Sequence, residues 1–176
     1  MPTHEELHKM SGHVRYEISE FKKGIEEFHR LIDTKDPARD RALESALLHF
    51  RVLRDFLLHQ KEKYDDDVLA VHYVEAGIWK PKITSKVFEE TRQHLDKRLA
   101  HLSLRRIKES EKEWNWPLDV MSKALGELIM QFYVSLPPDK RDWFKDLKQA
   151  TVTVTFGLGA ADSRTDSGGA FQPFDF

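Results

Sequence analysis

The sequence predicts an all-α protein, an up-down bundle of four main helices plus short ones, followed by a flexible C-terminal tail. Apolar residues recur at spacings of three and four over most of the first 150 positions. Capping residues and prolines divide this pattern into segments of helical length. One strand-like stretch, TVTVTF from Thr151, has no second strand with which to pair. We therefore expect a helical bundle over residues 1–150 and a flexible tail over residues 151–176.

The first segment predicts one long amphipathic helix from about His4 to Ile32. Thr3 and Glu6 fit a capping box at its start. Gly12 and Gly24 lower the helix propensity by roughly 1 kcal/mol each, or mark places where another helix packs closely. The apolar stripe consists of Leu7, Met10, Val14, Ile18, Phe21, Ile25, Phe28 and Ile32.

The second helix is predicted to be the centre of the bundle. Asp36 is the expected N-cap, Pro37 the first helical residue, and the helix runs to about Gln60. The loop before it is short, which favours an antiparallel pair with the first helix. His49 lies inside a broad apolar arc that is formed by Ala42, Leu43, Ala46, Phe50, Val52, Leu53, Phe56 and Leu57.

Short signals predict the elements that follow the second helix. Asp66 or Asp67 is expected to cap a short helix over residues 68–74, and Trp79 to plug one end of the bundle. Thr84 or Ser85 is expected to cap a third long helix that ends near residue 107.

A fourth helix is predicted after a solvated connector. Pro117 is expected to open it, and Pro137 with Pro138 to stop it. A last short helix over residues 139–147 would then lay Trp143, Phe144 and Leu147 back on the bundle.

Composition excludes several classes of function. The net charge is −2, from 28 basic and 30 acidic residues, so any polyanion site must be a local patch. There is no cysteine, which excludes thiol nucleophiles and thiolate metal sites. No apolar run approaches the roughly 20 residues that cross a bilayer, and the N-terminus has no signal-like apolar core. We expect a cytoplasmic protein that contacts no membrane and, without a glycine-rich phosphate loop, carries no cofactor.

The strongest motif is an R-x4-H pattern formed by Arg54 and His59 on the second helix. On the second long helix of a small all-α bundle, this pattern resembles the HEPN superfamily. The resemblance implies that such an Arg and His take part in metal-independent RNA cleavage. An arginine can hold the scissile phosphate, and a histidine can move the proton of a 2′-hydroxyl.

A wider stretch is similar to a group of bacterial HEPN-type proteins, through ALESALLHFRVLRDF, DDVLA and DKRLAHLSLRR. The recurring polar positions of that group correspond to His49, Arg51, Asp55 and His101. Arg51 is followed by Val52, where an Asn is the usual companion. The resemblance implies a homodimer whose two sites meet across a cleft. It also implies a role in stress, toxin–antitoxin or phage defence, with an antitoxin-like protein partner.

These patterns give a hypothetical RNA or nucleotide site. Arg51 and Arg54 would bind phosphate, and His59, His49 or His101 would act as acid or base. His49 and His101 would flank a cleft that Arg51 and Arg98 make positive. A basic edge suited to a phosphate backbone would continue along the third helix, through Lys97, Arg98, Arg105 and Arg106.

The first alternative is a non-catalytic helical module for protein interaction, in which the same polar groups are structural. Arg51 would then pair with Asp55 one turn away, while Arg54 and His59 would be solvated. His49 would be a core histidine whose hydrogen-bond partner is Ser45 or His101.

The second alternative is a histidine metal site. His4, Glu5 and His8 match the H-E-x-x-H pattern of zinc hydrolases, although Glu6 is already explained by the capping box. A variant would gather His4 or His8 with His49 or His101 across the bundle. No metal is assigned on this basis.

Overall fold

The computed structural model describes residues 1–98 and 116–147, apart from the side chains at positions 93 and 96–98. This part of the chain is an all-α bundle with four main helices, and it contains no strand. The predicted tail and the TVTVTF stretch lie outside the described residues. The elements are α1 (His4–Leu31), α2 (Ala38–Leu58), a 3₁₀ turn (Ala70–His72), α3 (Val87–Arg98), α4 (Leu118–Ser135), α5 (Pro138–Arg141) and a second 3₁₀ turn (Asp142–Phe144).

The capping box predicted for α1 is confirmed. The backbone N–H of Glu6 donates to Thr3 Oγ1 at 3.3 Å, and the backbone N–H of Thr3 donates to Glu6 Oε2 at 2.7 Å. These bonds satisfy amides that have no partner within the helix. The helix ends at Leu31, one residue before the predicted end.

Helices α1 and α2 form the predicted antiparallel pair. Glu17 of α1 contacts His49 of α2, and Gly24, further along α1, lies against Ala46, which is earlier in α2. The two helices therefore run in opposite directions. A Cβ atom on Gly24 would lie 2.9 Å from the backbone nitrogen of Ala46, closer than packing allows. Around Gly12, by contrast, there is open space. The interpretation of close helix packing is therefore confirmed at Gly24 and wrong at Gly12.

Helix α2 is central, as predicted. Asp36 Oδ1 accepts a hydrogen bond from the backbone N–H of Ala38 at 2.8 Å, although the helix begins at Ala38 rather than at Pro37. Every residue of the predicted apolar arc is buried except Val52, which is 41% exposed. At the other end, Trp79 Nε1 donates to the carbonyl oxygen of Leu57 at 2.8 Å. The buried indole thus plugs this end of the bundle and satisfies a carbonyl of the last turn.

The connection after α2 differs from the prediction. Asp67 does not cap the short helix, because its Oδ2 accepts from the backbone N–H groups of Lys63 and Tyr64 at 2.7 and 2.9 Å. These bonds close a turn before the helix and lower the pKa of the Asp67 carboxyl. The predicted helix is a single 3₁₀ turn, in which His72 Nδ1 accepts from the backbone N–H of Leu69.

Helices α3 and α4 begin where the sequence predicts. Of the two expected caps of α3, Ser85 is the one that accepts from the helix, at 3.2 Å from the backbone nitrogen of Val87. Thr84 instead donates to Glu127 of α4 at 2.6 Å. Helix α4 follows Pro117 and ends before the proline pair. The predicted continuation of α3 to residue 107 lies outside the described residues.

An aromatic cluster fills the core between the helices. Tyr73 is fully buried, and its ring meets Phe56, Phe132 and Phe144 at centroid distances of 5.9, 5.8 and 5.4 Å in edge-to-face geometry. Its hydroxyl donates to the carbonyl oxygen of Leu7 at 3.0 Å, and burial raises the pKa of the phenol. Phe144 belongs to the C-terminal fold-back, which is therefore confirmed.

Over the described ranges, no helix combines the length and the hydrophobicity that crossing a bilayer requires. The cytoplasmic location expected from the sequence stays a prediction.

Candidate functional site

Four polar side chains gather at the C-terminal end of α2, and we call them the α2-end cluster: Arg51, Arg54, Asp55 and His59. Successive steps of four residues place Arg51, Asp55 and His59 along one face of the helix. The α2-end cluster therefore contains both residues of the R-x4-H motif together with Arg51 and Asp55, two of the polar positions of the HEPN-type resemblance.

Arg54 is buried and bound to its neighbour. Its side chain is 7% exposed, and Nε and Nη2 donate to Asp55 Oδ1 at 2.9 and 2.7 Å. The interpretation in which Arg54 is solvated is therefore wrong. The acid that was expected to pair with Arg51 is bound by Arg54. This arrangement fixes the Asp55 carboxylate, because two donors converge on a single oxygen atom.

His59 is the accessible member of the cluster. Its side chain is 46% exposed, and Nε2 lies 3.8 Å from Asp55 Oδ1. The backbone N–H of His59 donates to the carbonyl oxygen of Asp55, which ends the helix at this residue. Asp55 therefore lies between a buried guanidinium and an accessible imidazole.

A cleft of about 510 Å³, which we call the basic cleft, is lined by more basic than acidic side chains. Five basic side chains line it against two acidic ones, and His59 lies among them. Arg51 and Arg54 come from α2, Lys61 and Lys63 from the segment after it, and Arg92 from α3. Such a local patch is the kind of polyanion site that the balanced overall charge still allows.

Two further clefts share Asp55 and His59 with the basic cleft. One, of about 460 Å³, lies between α1, α2 and residues 63–69, and we call it the seam cleft. The other, of about 550 Å³, lies between α2 and residues 83–92. A ligand that reaches His59 can therefore extend in more than one direction.

His49 is separate from these clefts and has a partner that sequence reasoning missed. Its Nδ1 lies 2.7 Å from Glu17 Oε2 on α1, and the two side chains are 13% and 23% exposed. Because an ionised carboxylate only accepts hydrogen bonds, Nδ1 carries the proton and donates. Glu17 is a partner that the sequence did not suggest, and the expected inward position of His49 is confirmed.

A second missed histidine pins the segment that follows α2. His72 Nδ1 accepts from the backbone N–H of Leu69, so Nε2 carries the proton and donates to Glu62 Oε1 at 2.8 Å. Hydrogen bonds from its own backbone N–H and from His72 lower the pKa of Glu62. The segment that supplies Lys61 and Lys63 is thereby tied to the first 3₁₀ turn.

Three basic residues of the cleft, Lys61, Lys63 and Arg92, were not predicted. The sequence held a signal for the two lysines, which lie two and four residues after His59. Arg92 lies one turn after Phe88, whose ring stacks on Phe50 of α2 at a centroid distance of 5.7 Å. That contact brings α3 against α2 and explains why Arg92 reaches the cleft.

The H-E-x-x-H histidines pack against an aromatic ring. The rings of His4 and His8 lie 4.8 and 5.0 Å from the ring of Trp143, and His4 Nε2 lies 3.8 Å from Asp139. Across residues 1–98 and 116–147, no three His, Asp or Glu side chains converge in a way that could hold a metal ion.

The remaining predicted residues are not placed at the site. His101, Arg105 and Arg106 lie outside the described residues. Lys97 and Arg98 belong to α3, but their side chains are also outside the description. The predicted pairing of His49 with His101, and the basic edge along the third helix, therefore stay predictions.

No family model, curated protein or solved structure matches this chain.

Proposed function

We propose that this chain binds RNA or nucleotides through their phosphates in the basic cleft, and that it cleaves RNA without a metal ion. The observation that supports the proposal is the excess of basic side chains around the accessible imidazole of His59. Phosphate contacts supply most of the affinity of proteins for nucleic acids. The HEPN resemblance of the R-x4-H motif points to the same reaction.

The proposed roles follow from exposure and contacts. Arg51, Arg92 and the lysines after α2 hold phosphate oxygens, since they line the basic cleft. Arg54, which the sequence suggested as a phosphate ligand, positions Asp55 instead. Asp55 in turn orients the ring of His59, whose Nε2 lies 3.8 Å from Asp55 Oδ1.

The proposed reaction is an internal transesterification. His59 takes the proton of the ribose 2′-hydroxyl, and the 2′-oxygen forms a bond to phosphorus while the bond from phosphorus to the 5′-oxygen breaks. The leaving oxygen receives a proton from the medium. The products are a 2′,3′-cyclic phosphate and a 5′-hydroxyl, and the arginines stabilise the charge that develops on the phosphate.

The test incubates the full chain with a mixed single-stranded RNA pool in EDTA and follows cleavage and binding. We expect His59→Ala to reduce cleavage by about 10²–10⁴-fold, the usual contribution of an acid–base group. The matched control is His29→Ala. His29 is 44% exposed and lies 3.4 Å from a carboxylate, that of Asp119, but it belongs to the last turn of α1 and lines none of the three clefts. RNA with 2′-O-methyl groups should bind but stay intact. Cleavage that is absent from the parent chain, or equal in all variants, overturns the catalytic proposal.

Binding is tested separately from cleavage. We expect Arg51→Ala to weaken binding to all sequences and to lower the salt dependence by about one ion. Arg41→Ala serves as control, since Arg41 is exposed on the same helix ten residues earlier. Equal affinities and salt slopes for the two variants would contradict phosphate binding in the basic cleft.

A non-catalytic interaction module is the second candidate, and exposed apolar side chains favour it. Leu48 and Val52, one turn apart on α2, are 52% and 41% exposed, and Tyr16 beside His49 is 55% exposed. Such a patch suits a protein partner. The homodimer and the antitoxin-like partner stay predictions, and light scattering of the purified chain measures the first directly.

A further inference from the structure

We propose that the seam cleft accepts a nucleobase of single-stranded RNA, which stacks on Tyr64 while the adjoining phosphate lies in the basic cleft. This inference rests on the proposed function and adds a base subsite to it. It makes the chain selective for unpaired RNA.

The seam cleft has the size and lining of a site for a flat, largely apolar group. Its volume of about 460 Å³ falls within the range of roughly 300–1,000 Å³ that is usual for ligand pockets. Apolar side chains from both helices form its wall, among them Val14, Val52 and Phe56. A nucleobase presents an apolar face to such a wall and keeps polar atoms at its edge.

The position of the seam cleft relative to the basic cleft suits one nucleotide that occupies both. The two clefts share Arg51, Asp55, His59 and Lys63. The shared residues include two basic side chains suited to a phosphate, whereas most of the apolar lining belongs to the seam cleft. A ligand with a charged part joined to a flat apolar part matches this division, and a nucleotide has that composition.

Tyr64 is an accessible aromatic side chain at the seam cleft. It is 61% exposed, although aromatic side chains usually pack into the core. Lys63 Nζ lies 5.2 Å from the centre of its ring. This ammonium lies over one face of the ring, so the base stacks on the opposite face and leaves Lys63 for its phosphate. Such stacking tolerates any base sequence.

The backbone at Tyr64 is held in place before any ligand binds. Asp67 Oδ2 accepts from the backbone N–H groups of both Lys63 and Tyr64. The Glu62–His72 hydrogen bond anchors the preceding residue. Because this turn is already fixed, binding costs less conformational entropy than ordering a free loop would.

The consequence is discrimination between single-stranded and duplex RNA. A base within a duplex is stacked and paired on both sides, so it reaches Tyr64 only after leaving the helix. The phosphates alone do not make this distinction, since both forms present them to the basic cleft.

The test measures binding of the full chain to three fluorescent probes with equal numbers of phosphates per strand. They are a single-stranded oligouridylate with 2′-O-methyl groups, the same backbone without bases, and the corresponding duplex. We expect the oligouridylate to bind about tenfold more tightly than the abasic backbone, as one stacked base contributes. Tyr64→Ala should abolish this preference, and Tyr64→Phe should retain it. Tyr16→Ala, at another exposed tyrosine, is the matched control.

The outcomes separate the subsite from the proposed function. If the abasic and base-containing probes bind equally, with a salt dependence that Arg51→Ala lowers, the base subsite is wrong and phosphate binding stands. The same conclusion follows if Tyr64→Ala and Tyr16→Ala behave alike. If no probe binds, the proposed function falls and this inference falls with it.

Discussion

Two histidines on α2, ten residues apart, lie in opposite surroundings. His49 faces α1 in the seam between the helices, where Glu17 holds it at 2.7 Å and its side chain is 13% exposed. His59 ends the helix beside three clefts, and its side chain is 46% exposed. The same residue type therefore serves as a cross-link in one place and as an accessible ring in the other.

The difference shows that a histidine in a helical motif is interpreted best through the helix that faces it. Helix α1 covers His49 and supplies a carboxylate of its own. His59 follows the last residue of α2 and lies at clefts that α1 and α3 also line. Stability and proposed chemistry are thus separated along a single helix, and substitutions can test the separation.

The largest expected effect is a difference in the free energy of unfolding between variants of the two histidines. His49→Ala should lower the free energy of unfolding by about 1–3 kcal/mol, because the Glu17 carboxylate loses its partner in a half-buried position. His59→Ala should change it by less than about 0.5 kcal/mol, as is usual for exposed sites. Denaturant unfolding of both variants measures the contrast. Equal losses of unfolding free energy in the two variants would contradict the structural role of His49 between α1 and α2.

The two glycines of α1 are expected to respond with opposite signs. Gly24→Ala should destabilise the fold by about 1–2 kcal/mol, because the new Cβ atom meets the backbone of α2 at 2.9 Å. Gly12→Ala should stabilise it by up to about 1 kcal/mol, since alanine is the better helix former and the space there is open. Thermal unfolding of the two variants gives the signs, and a stabilising Gly24→Ala would show that the seam is looser than the structure indicates.

The smallest expected effect is the loss of two hydrogen bonds in the turn after α2 when the pH is lowered. The pKa of Asp67 is lowered below its ordinary value of 3.8, so its hydrogen bonds stabilise the turn above that pH. This contribution is lost as the pH falls through the lowered pKa. The amide resonances of Lys63 and Tyr64 should therefore titrate below pH 3.8, and Asp67→Asn should abolish that titration. A midpoint above 3.8 would contradict the hydrogen bonds of the turn.

The helices could be predicted because their signals are local. The three-and-four spacing of α1 and its Thr3–Glu6 box lie within one segment of chain, and both are confirmed. The role of Gly24 could not be predicted in the same way, because its close contact is with the backbone of α2, which only the folded pair of helices places beside it.

The site was predicted in part, because its partners come from distant positions. The R-x4-H pattern drew attention to the end of α2 beside which the clefts lie, but nothing local shows that Arg54 is buried whereas His59 is exposed. Glu17 lies 32 residues from His49, beyond any periodic pattern on one helix. Arg92 reaches the cleft through the packing of α3, which the sequence does not specify.

The buried hydroxyl of Tyr73 gives the bundle an optical reporter of alkaline unfolding. Burial holds the pKa of its phenol well above the ordinary value of 10.0, so the packed aromatic core opposes ionisation. Because the pKa of this phenol is higher in the folded than in the unfolded chain, the folded state loses stability as the pH rises above 10.0. The phenolate at this position therefore forms more readily in the unfolded chain than in the folded core, and its ultraviolet absorbance marks the opening of the molecule.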